Sequence, residues 1–321
     1  ARLPTDQSEF MFTPDRLLEV NVLLDRADWD TLRFQELVIF DEIFSPTCGT
    51  QPWSNPYTYF SGEVTVDGQT FSNVGVRKKG FVGSVSTTTP SLKVKFDEFV
   101  GGQQLNSMDR ITLNNNKQDP AHVKQCLAYK IMREAGVPAP RCNFLHLTVT
   151  VNEGVSTTIA VDEIYTHVES IKDPFLRSHF GSDQDQGRLY EGTLSDFWPG
   201  SFRNTIEPKT LFAASDTTEI DALTTALEDP ALSDAQRLTA IAGLVDVNEF
   251  MTFWSAEGLV GHWDGYVDDQ NNFWFYVDPA DGLIRFIPWG TDDTWGAGNQ
   301  LPFRGGDAVH CEAIVPRAAL P

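Results

Sequence analysis

The alternation of apolar and polar residues predicts a strand-rich N-terminal half. Residues 16–25 (RLLEVNVLLD) alternate as a strand with one apolar face, and residues 25–38 have the spacing of a short amphipathic helix. Two more alternating segments, at 62–66 and 69–80, are joined by the dipeptide Asp-Gly, which is typical of tight hairpin turns. We therefore expect the chain to begin with a strand, a helix and a β-hairpin.

Further strands are predicted on both sides of a single helix. They lie in the stretches PSLKVKF, DRITLNNN, VPAPRCNFLHLTVTV and STTIAVDEIYTHV. Asp119 is placed to cap the helix, Pro120 takes its first position and Gly136 ends it. The predicted apolar stripe of this helix consists of Val123, Leu127, Ile131 and Ala135. Residues 1–168 therefore predict a β-rich N-lobe, with one helix packed on a sheet of about five or six strands.

Helical periodicity replaces this pattern in the second half of the chain. A short helix is expected in KDPFLRSHFG, followed by a loop in GSDQDQGRLYEGTLSDFWPG, where no periodicity is evident. Residues 219–260 are predicted to be mostly helical, with Ser233 capping one helix. Asp246 and Glu249 have the spacing of a capping box at the start of the next. Residues 169–321 therefore predict a C-lobe that is mainly α-helical.

The C-lobe also carries an acidic β-hairpin. Its turn is predicted at 278–282, between two runs of aromatic and branched residues. A loop with Asp264 precedes the hairpin, and a loop with Asp292 follows it. Because the outer ends of a hairpin lie side by side, Asn271 and Asn272 should lie close to Asp292. Two carboxylates and an amide suit a divalent cation bound together with phosphate.

A cluster of cations in the N-lobe is the second candidate site. Arg77 and Lys79 precede a Gly/Ser/Thr-rich loop, and Lys93 and Lys95 share one face of the strand that follows it. The backbone amides of such a loop, with Lys or Arg nearby, can bind phosphate. A solvated hairpin with a polar turn is the alternative. The alternation does not choose between the two lysines.

Composition narrows the possible partners. The chain has 321 residues, is 41% hydrophobic and has a formal net charge of −21. This charge argues against nucleic acid or an anionic membrane as the main partner. No apolar run approaches the roughly 20 residues of a membrane helix. Because the chain has no leading Met and no signal peptide, we expect a mature secreted or surface chain, with a C-terminus that is truncated.

The cysteines suggest a disulfide rather than a metal site. None of Cys48, Cys126, Cys142 and Cys311 belongs to a CxxC pair, so a zinc knuckle is not expected. Cys126 falls on the apolar side of the predicted helix, where a buried free thiol is the simplest expectation. Cys48 lies in a loop rich in Pro, Gly and Ser, where a disulfide would fit.

Eight short motifs then carry a resemblance to a known family. In chain order they are GVRKKGFVGS, PSLKVKF, LNNNKQDP, REAGVPAPR, HVESIKDPFL, LYEG, HWDGYVDDQNNFWFY and FIPWGTDDTWG. With these motifs the chain resembles the CotH family, the spore-coat protein H type of atypical secreted kinase, over nearly all of its length. The resemblance implies a single CotH-type domain over 1–321 with an α+β, bilobal, protein-kinase-like fold. A two-lobed plan with cations on one side and paired acids on the other also fits a kinase on chemical grounds.

The resemblance also implies an activity and a set of site residues. The activity is transfer of the ATP γ-phosphate, with Mg²⁺ or Mn²⁺, to Ser or Thr of a secreted or surface protein substrate. Asp264 of the HWDGY motif takes the role of catalytic base. Asn272 and Asp292 take the role of metal ligands. The expected nucleotide-binding residues, partly chosen from the cationic cluster, are Arg77, Lys79, Lys93, Lys95 and Glu169.

Two departures from the family pattern leave alternatives open. The family has a PWD-x-D-like motif, but this chain reads PWGTD, with Gly290 at the first acidic position, and the interval from Asp264 to Asn272 is longer. The carboxylates that could replace the missing one are Asp268, Asp269, Asp292 and Asp293. A kinase-fold binding or adhesion module without turnover is one alternative function, and transfer of AMP or an amino acid is another. A glycosidase also uses paired acids, but it would leave the cations and the Asn without a role.

Neighbouring aromatic and histidine residues have two readings as well. His262 of HWDGY could bind a metal as part of an H-x-D pair. A packed, hydrogen-bonded histidine beside Trp263 is the favoured interpretation. Trp289 and Trp295 are likewise expected to serve in packing rather than as a platform for stacking sugars.

Overall fold

The structure is a computed structural model. It describes residues 7–38, 55–81, 83–181, 187–197, 206–210 and 217–295. Cys48 with most of its loop, Cys311 and the C-terminal end lie outside these residues. The chain divides into two compact units: Ala1–Leu37, Asn55–Cys126 and Pro140–Pro174 form the first, and Val38–Ser54, Leu127–Ala139 and Phe175–Pro321 form the second. The predicted α+β class is confirmed.

A seven-stranded sheet that closes on itself forms the first unit. Its strands are β1 (Leu18–Asp25), β2 (Phe60–Val66), β3 (Gln69–Lys79), β4 (Ser91–Lys95), β5 (Arg110–Asn114), β6 (Cys142–Asn152) and β7 (Thr157–Val168). The order is β1-β2-β3-β4-β5-β7-β6, closed by parallel pairing of β6 with β1. Every predicted strand segment of the N-lobe is present, and together they give seven strands rather than five or six. Closure gives each strand of this sheet a neighbour on both sides, so none of them is an edge strand.

The interior of this sheet is filled by alternating apolar residues. In β1, Leu18, Val20, Val22 and Leu24 are at most 2% exposed, while the residues between them are exposed. Each such side chain contributes about 1.5–3 kcal/mol through burial. β3 continues the pattern with Val74 and Val76, but its next inward position is Lys78. The Lys78 ammonium donates to the carbonyl of Arg33 (2.8 Å), at the end of helix α1 (Arg26–Phe34), and burial lowers its pKa.

Helix α2 (Lys124–Glu134) begins later than predicted and buries a different face. Asp119 does cap it, because its Oδ2 accepts from the backbone N–H of Lys124 (2.7 Å). The predicted apolar stripe is wrong: Val123 and Leu127 are exposed, whereas Ala128, Tyr129 and Met132 are fully buried. The largest side chains on the buried face are Tyr129 and Met132. The prediction counted only Val, Leu, Ile and Ala and therefore selected the wrong face.

A disulfide between Cys126 and Cys142 fastens α2 to the start of β6. The two Cα atoms are 5.1 Å apart, and the cysteines are separated by 16 positions in the sequence. The expectation of a free thiol at Cys126 is therefore wrong, and the disulfide suggested for Cys48 lies outside the described residues. By closing a loop of this length, the bond restricts the unfolded chain.

Removing this disulfide should destabilise the protein. We expect the double variant Cys126→Ala, Cys142→Ala to lose about 3 kcal/mol of unfolding free energy, because the unfolded chain regains the entropy of an open loop. Urea unfolding of the variant against wild type measures the loss. The control is Val123→Ala at an exposed position beside the same helix. An unchanged unfolding midpoint in the double variant would contradict the stabilising role of the bond.

The second unit combines helices with a four-stranded antiparallel sheet. Its described helices are α3 (Asp173–Phe180), α4 (Thr218–Glu228), α5 (Asp234–Ala242), α6 (Val247–Val260) and α7 (Tyr266–Asp269). Its strands are β8 (Arg188–Gly192), β9 (Ile206–Pro208), β10 (Phe273–Val277) and β11 (Ile284–Pro288), in the order β11-β10-β8-β9. The predicted hairpin is β10 with β11. The loop prediction for RLYEG is wrong, because β8 pairs with β10 along its whole length and is buried by that pairing rather than marked by alternation.

Aromatic packing joins this sheet to α6. Phe273 and Phe275 of β10 and Phe286 of β11 lie on one face of the sheet, and Phe253 of α6 packs against Phe286. Asp246 caps α6 by accepting from the backbone N–H of Glu249 (3.1 Å), as predicted. None of the helices in the described ranges has the length and hydropathy needed to cross a bilayer.

Glu249 does not return the hydrogen bond that a capping box requires. Its Oε2 accepts instead from the backbone N–H of Phe286 (3.2 Å), which connects α6 to β11. Burial, with the nearby charge of Asp246, raises the pKa of Glu249 to about 8. The folded state therefore holds this proton more tightly than the unfolded state, where the ordinary pKa is 4.5.

Stability should consequently fall as pH rises from about 4.5 to about 8, because folding is increasingly penalised by ionisation of Glu249. Glu249→Gln removes the titrating group, so we expect the melting temperature of the variant to gain on that of wild type over this range. Glu228→Gln, an exposed change in α4, is the control. Parallel melting-temperature profiles for wild type and Glu249→Gln would refute the assignment.

Candidate functional site

The acidic site of the second unit begins where α6 ends. Gly261 adopts a left-handed conformation (φ 62°), and its N–H bonds back to the last turn of the helix. The backbone N–H of His262 also donates to the carbonyl of Glu257 (3.0 Å). This tight reversal leads the chain directly into Asp264. The aromatic helix and its glycine cap thus determine where the first carboxylate lies.

Two amide side chains hold both oxygens of Asp264. Asn271 Nδ2 donates to Oδ1 (2.9 Å), and Asn272 Nδ2 donates to Oδ2 (2.6 Å). Asn272 Nδ2 also lies 3.0 Å from the backbone carbonyl of Asp264. The backbone carbonyl of Asn272 accepts from the N–H of Trp289 (2.9 Å), at the base of the hairpin. The structure therefore brings Asp264 and Asn272 together beside the turn that leads to Asp292.

Gly290, where the resemblance leads us to expect an acid, provides space for Asn272. Its φ is +56°, and a Cβ atom built on it would lie 2.5 Å from both Cγ and Oδ1 of Asn272. A side chain here would meet two obstacles, the left-handed backbone and the amide. The glycine therefore allows Asn272 to lie against the 290–292 turn while bonding to Asp264.

Carboxylates around this amide raise one another's pKa. Burial raises the pKa of Asp264 and the charge of Asp292 adds to it, while the bonds from Asn271 and Asn272 and the charge of His262 oppose the rise. Burial, with the charges of Asp264 and Asp268, raises the pKa of Asp269 to about 7. The site thus has surplus negative charge, which a cation would relieve.

Two residues that contribute to this site were not found from the sequence. Tyr129 of α2 is fully buried and faces the turn at Gly290 and Thr291, and burial together with the charge of Asp292 raises its pKa. Glu257 of α6 is 1% exposed and bonds to His262. Of these two residues, only Glu257 gave a signal in the sequence, as an acidic residue within an otherwise apolar helix. His262 is packed and hydrogen-bonded, as the favoured interpretation held.

The cations of the first unit are already engaged in different ways. Arg77 and Lys93 are opposite partners in the β3–β4 register, and the Arg77 guanidinium lies 5.3 Å from the ring centre of Tyr59. Lys79 bonds to Asn114. Lys95 is paired with Glu98 (2.8 Å), a bond that raises its pKa.

The loop between β3 and β4 is ordered by its own hydroxyl groups. Ser86 Oγ accepts from the backbone N–H groups of Thr88 (3.3 Å) and Thr89 (3.0 Å). Asn115 Nδ2 donates to the carbonyls of Ser84 (3.0 Å) and Thr89 (2.8 Å). The loop is thus shaped by internal bonds, and the amides of Thr88 and Thr89 already have a partner.

Glu169 is bound by an arginine. Its Oε1 accepts from Nη2 of Arg141 (2.6 Å), and its Oε2 accepts from the backbone N–H of the same residue (2.9 Å). The carboxylate is 4% exposed. In the described structure the charge of Glu169 is therefore balanced by Arg141, and its expected role with a lysine or nucleotide stays a prediction.

The donor set suits a divalent cation that is shared with phosphate. Within the described ranges, no group of three or more His, Cys, Asp or Glu residues is arranged to hold a metal ion. Asp292 has a carboxylate and Asn272 an amide oxygen, both of which are hard oxygen donors, and Asn272 Nδ2 donates to Asp264. Mg²⁺ commonly binds proteins through one or two such groups and completes its shell with water and substrate phosphates. The residues present therefore fit such an ion.

Comparison with known proteins identifies the family. A family model described as CotH kinase protein matches residues 76–316. This match covers most of the sequence, and the chain belongs to the CotH family. The resemblance drawn from the eight motifs is thereby confirmed.

Three curated relatives come from Rhizopus delemar. The chain is 24% identical to spore coat protein homolog 1 over 200 residues, 61% of this chain and 32% of that protein. It is 22% identical to invasin CotH7 over 198 residues (61% and 32%) and 25% identical to invasin CotH2 over 209 residues (63% and 34%). The chain spans about a third of the length of the curated relatives it matches.

Adding a side chain at position 290 should disturb the amide network. We expect Gly290→Ala and Gly290→Asp to lose about 2–4 kcal/mol of stability, because each combines backbone strain with a clash against Asn272. Gly282→Ala is the matched control, since Gly282 also has positive φ (+77°) but no atom within 4 Å of its Cβ position. Chemical unfolding of the three variants separates strain from contact.

A double variant tests the contact directly. Asn272→Ala removes the amide, so Gly290→Ala should cost less in that background than in wild type. Equal losses at positions 290 and 282, or additive losses with Asn272→Ala, would show that the amide does not fill this space.

Proposed function

We propose that this chain is an atypical protein kinase that transfers the γ-phosphate of ATP to Ser or Thr of secreted or surface proteins. The observation that carries the proposal is the Asp264 carboxylate, fixed by two amides beside the Asp292 turn. An Asp with a nearby Asn and a second Asp is the arrangement that phosphoryl transfer from ATP uses in protein kinases. The family match supports the same reaction.

Asp264 acts as the base in this proposal. The bonds from Asn271 and Asn272 leave each carboxylate oxygen with further lone pairs for the acceptor hydroxyl. Partial burial raises its pKa, which strengthens the carboxylate as a proton acceptor. Its fixed orientation reduces the entropy that must be lost to position the hydroxyl.

Asp292 and Asn272 would hold Mg²⁺ or Mn²⁺. When bound, the ion would neutralise charge on the transferring phosphate. Its charge would also offset the mutual repulsion of Asp264, Asp269 and Asp292. The bond from Asn272 to Asp264 would keep base and metal ligand in fixed relation.

The cations of the first unit would bind the nucleotide phosphates. Arg77 and Lys93, opposite each other in register, are the central pair in this proposal. Lys79 would have to exchange Asn114 for a phosphate, and Lys95 would have to release Glu98. Glu169 would act through Arg141. The two compact units would then correspond to the two lobes of a kinase-like fold.

The proposal includes association with a cell or spore surface. The relatives are named spore coat protein homolog and invasin. The Cys126–Cys142 disulfide fits a chain that folds in an oxidising compartment. The substrate would then be another secreted or surface protein.

Replacing Asp264 should abolish most transfer. We expect Asp264→Asn to lower kcat by about 100-fold or more, because general base catalysis is removed while the side chain keeps its size and one acceptor oxygen for the neighbouring amides. The assay follows labelled γ-phosphate onto the chain itself or onto a Ser-rich acidic protein, with Mg²⁺ or Mn²⁺. Asp234→Asn, at a fully exposed position in α5, is the control. Equal rates for wild type and Asp264→Asn under every metal would refute the kinase proposal.

A binding or adhesion module without turnover is the second candidate. The names of the two invasins favour it, as does the lack of an arranged three-acid group among the described residues. It predicts no rise in melting temperature with ATP and Mn²⁺, whereas a rise of several degrees would count against it. Intact-mass spectrometry after incubation with ATP would separate added phosphate from added AMP.

A further inference from the structure

His262 and Glu257 form a buried pair next to the acidic site. Nδ1 of His262 is 3.1 Å from Oε1 of Glu257, and the two side chains are 0% and 1% exposed. Nε2 of the same ring is 3.2 Å from the backbone carbonyl of Gly290. The ring therefore faces one acceptor from each nitrogen.

These two acceptors determine the protonation of the ring. A neutral imidazole carries one N–H, so its other nitrogen would place a lone pair against a buried acceptor oxygen. Only the doubly protonated ring donates to both the carboxylate and the carbonyl. We infer that His262 is a permanent imidazolium, a cation built into the acidic site and held there by Glu257.

The surroundings of Glu257 show that this pair is closely fitted. Its second oxygen, Oε2, accepts from the backbone N–H of Val267 (3.0 Å), in the first turn of α7. A Cβ atom on Gly265 would lie 2.5 Å from His262 Nδ1 and 2.6 Å from Glu257 Oε1, so the glycine allows the chain to pass over the pair. One ion pair thus joins α6, the Asp264 loop, α7 and the 290–292 turn.

The charges that face the ring favour its protonated form. Two charged groups face it: Glu257 from α6 and Asp264 from its own loop. Both favour the charged ring, which outweighs the opposing effect of burial and raises the pKa of His262. In return, the positive charge of the ring opposes the rise in the pKa of Asp264 that burial and the charge of Asp292 cause.

The charge state can be measured without any enzymatic assay. In wild-type protein labelled with ¹⁵N histidine, we expect both ring nitrogens of His262 to show imidazolium chemical shifts from pH 6 to about 9. His146, whose partly exposed ring lies between Glu19 and Asp162, serves as the internal control, because its shifts should change from imidazolium to neutral values as pH rises. A neutral tautomer of His262 at pH 8 would overturn the inference.

Two variants assign the His262 NMR signal and test whether Glu257 keeps the ring protonated. The His262 signal should vanish in His262→Gln. If that variant does not fold, through-bond correlation to the backbone of the residue assigns the signal. Glu257→Gln keeps a hydrogen-bond acceptor but removes the charge, so the His262 ring should become neutral at a pH at least one unit lower than in wild type. An unchanged titration would show that Glu257 does not hold the proton.

Discussion

Asn272 makes three contacts that depend on one another. Its nitrogen donates to the Asp264 carboxylate, its Cγ and Oδ1 occupy the space above Gly290, and its backbone carbonyl receives the N–H of Trp289. Moving the amide would release the carboxylate and disturb the hairpin base together. Two loops that are far apart along the chain are thereby set in one arrangement, and the chemistry proposed for Asp264 depends on it.

Electrostatics explains why so many polar groups gather here. Burial, together with repulsion between neighbouring carboxylates, raises the pKa values of Asp264 and Asp269. Amides reduce the cost by donating to Asp264, and the imidazolium inferred at His262 reduces it further. Glu257 in turn balances the ring and bonds to the start of α7. Each charged group is thus stabilised by a neighbouring group. A substitution at one position should therefore change the charge balance at several others.

Local rules predicted the parts of the fold that local interactions determine. The hairpin turn between β2 and β3, the Asp246 cap and the acidic hairpin all follow from residues close in sequence. Strand β8 was missed because its adjacent residues Leu189 and Tyr190 are both buried, so it shows no alternation, and its pairing partner β10 is distant in sequence. The buried face of α2 was missed for a similar reason. Tyr129 faces the turn at Gly290 and Thr291, which is distant in sequence, and the pattern of its own helix does not predict that contact.

Within the site, the sequence supplied the candidate acids but could not show how their charges balance. The structure shows that Asn272 occupies the space at Gly290, where an acid would have added another negative charge beside Asp264 and Asp292. Fewer carboxylates need less compensation, and the imidazolium already supplies part of it. Of the two residues proposed as metal ligands, Asp292 has one carboxylate and Asn272 one amide oxygen, and phosphate oxygens would supply further ligands to a divalent cation. On the proposed function, metal binding in this chain is therefore linked to nucleotide binding, because neither partner alone satisfies the site.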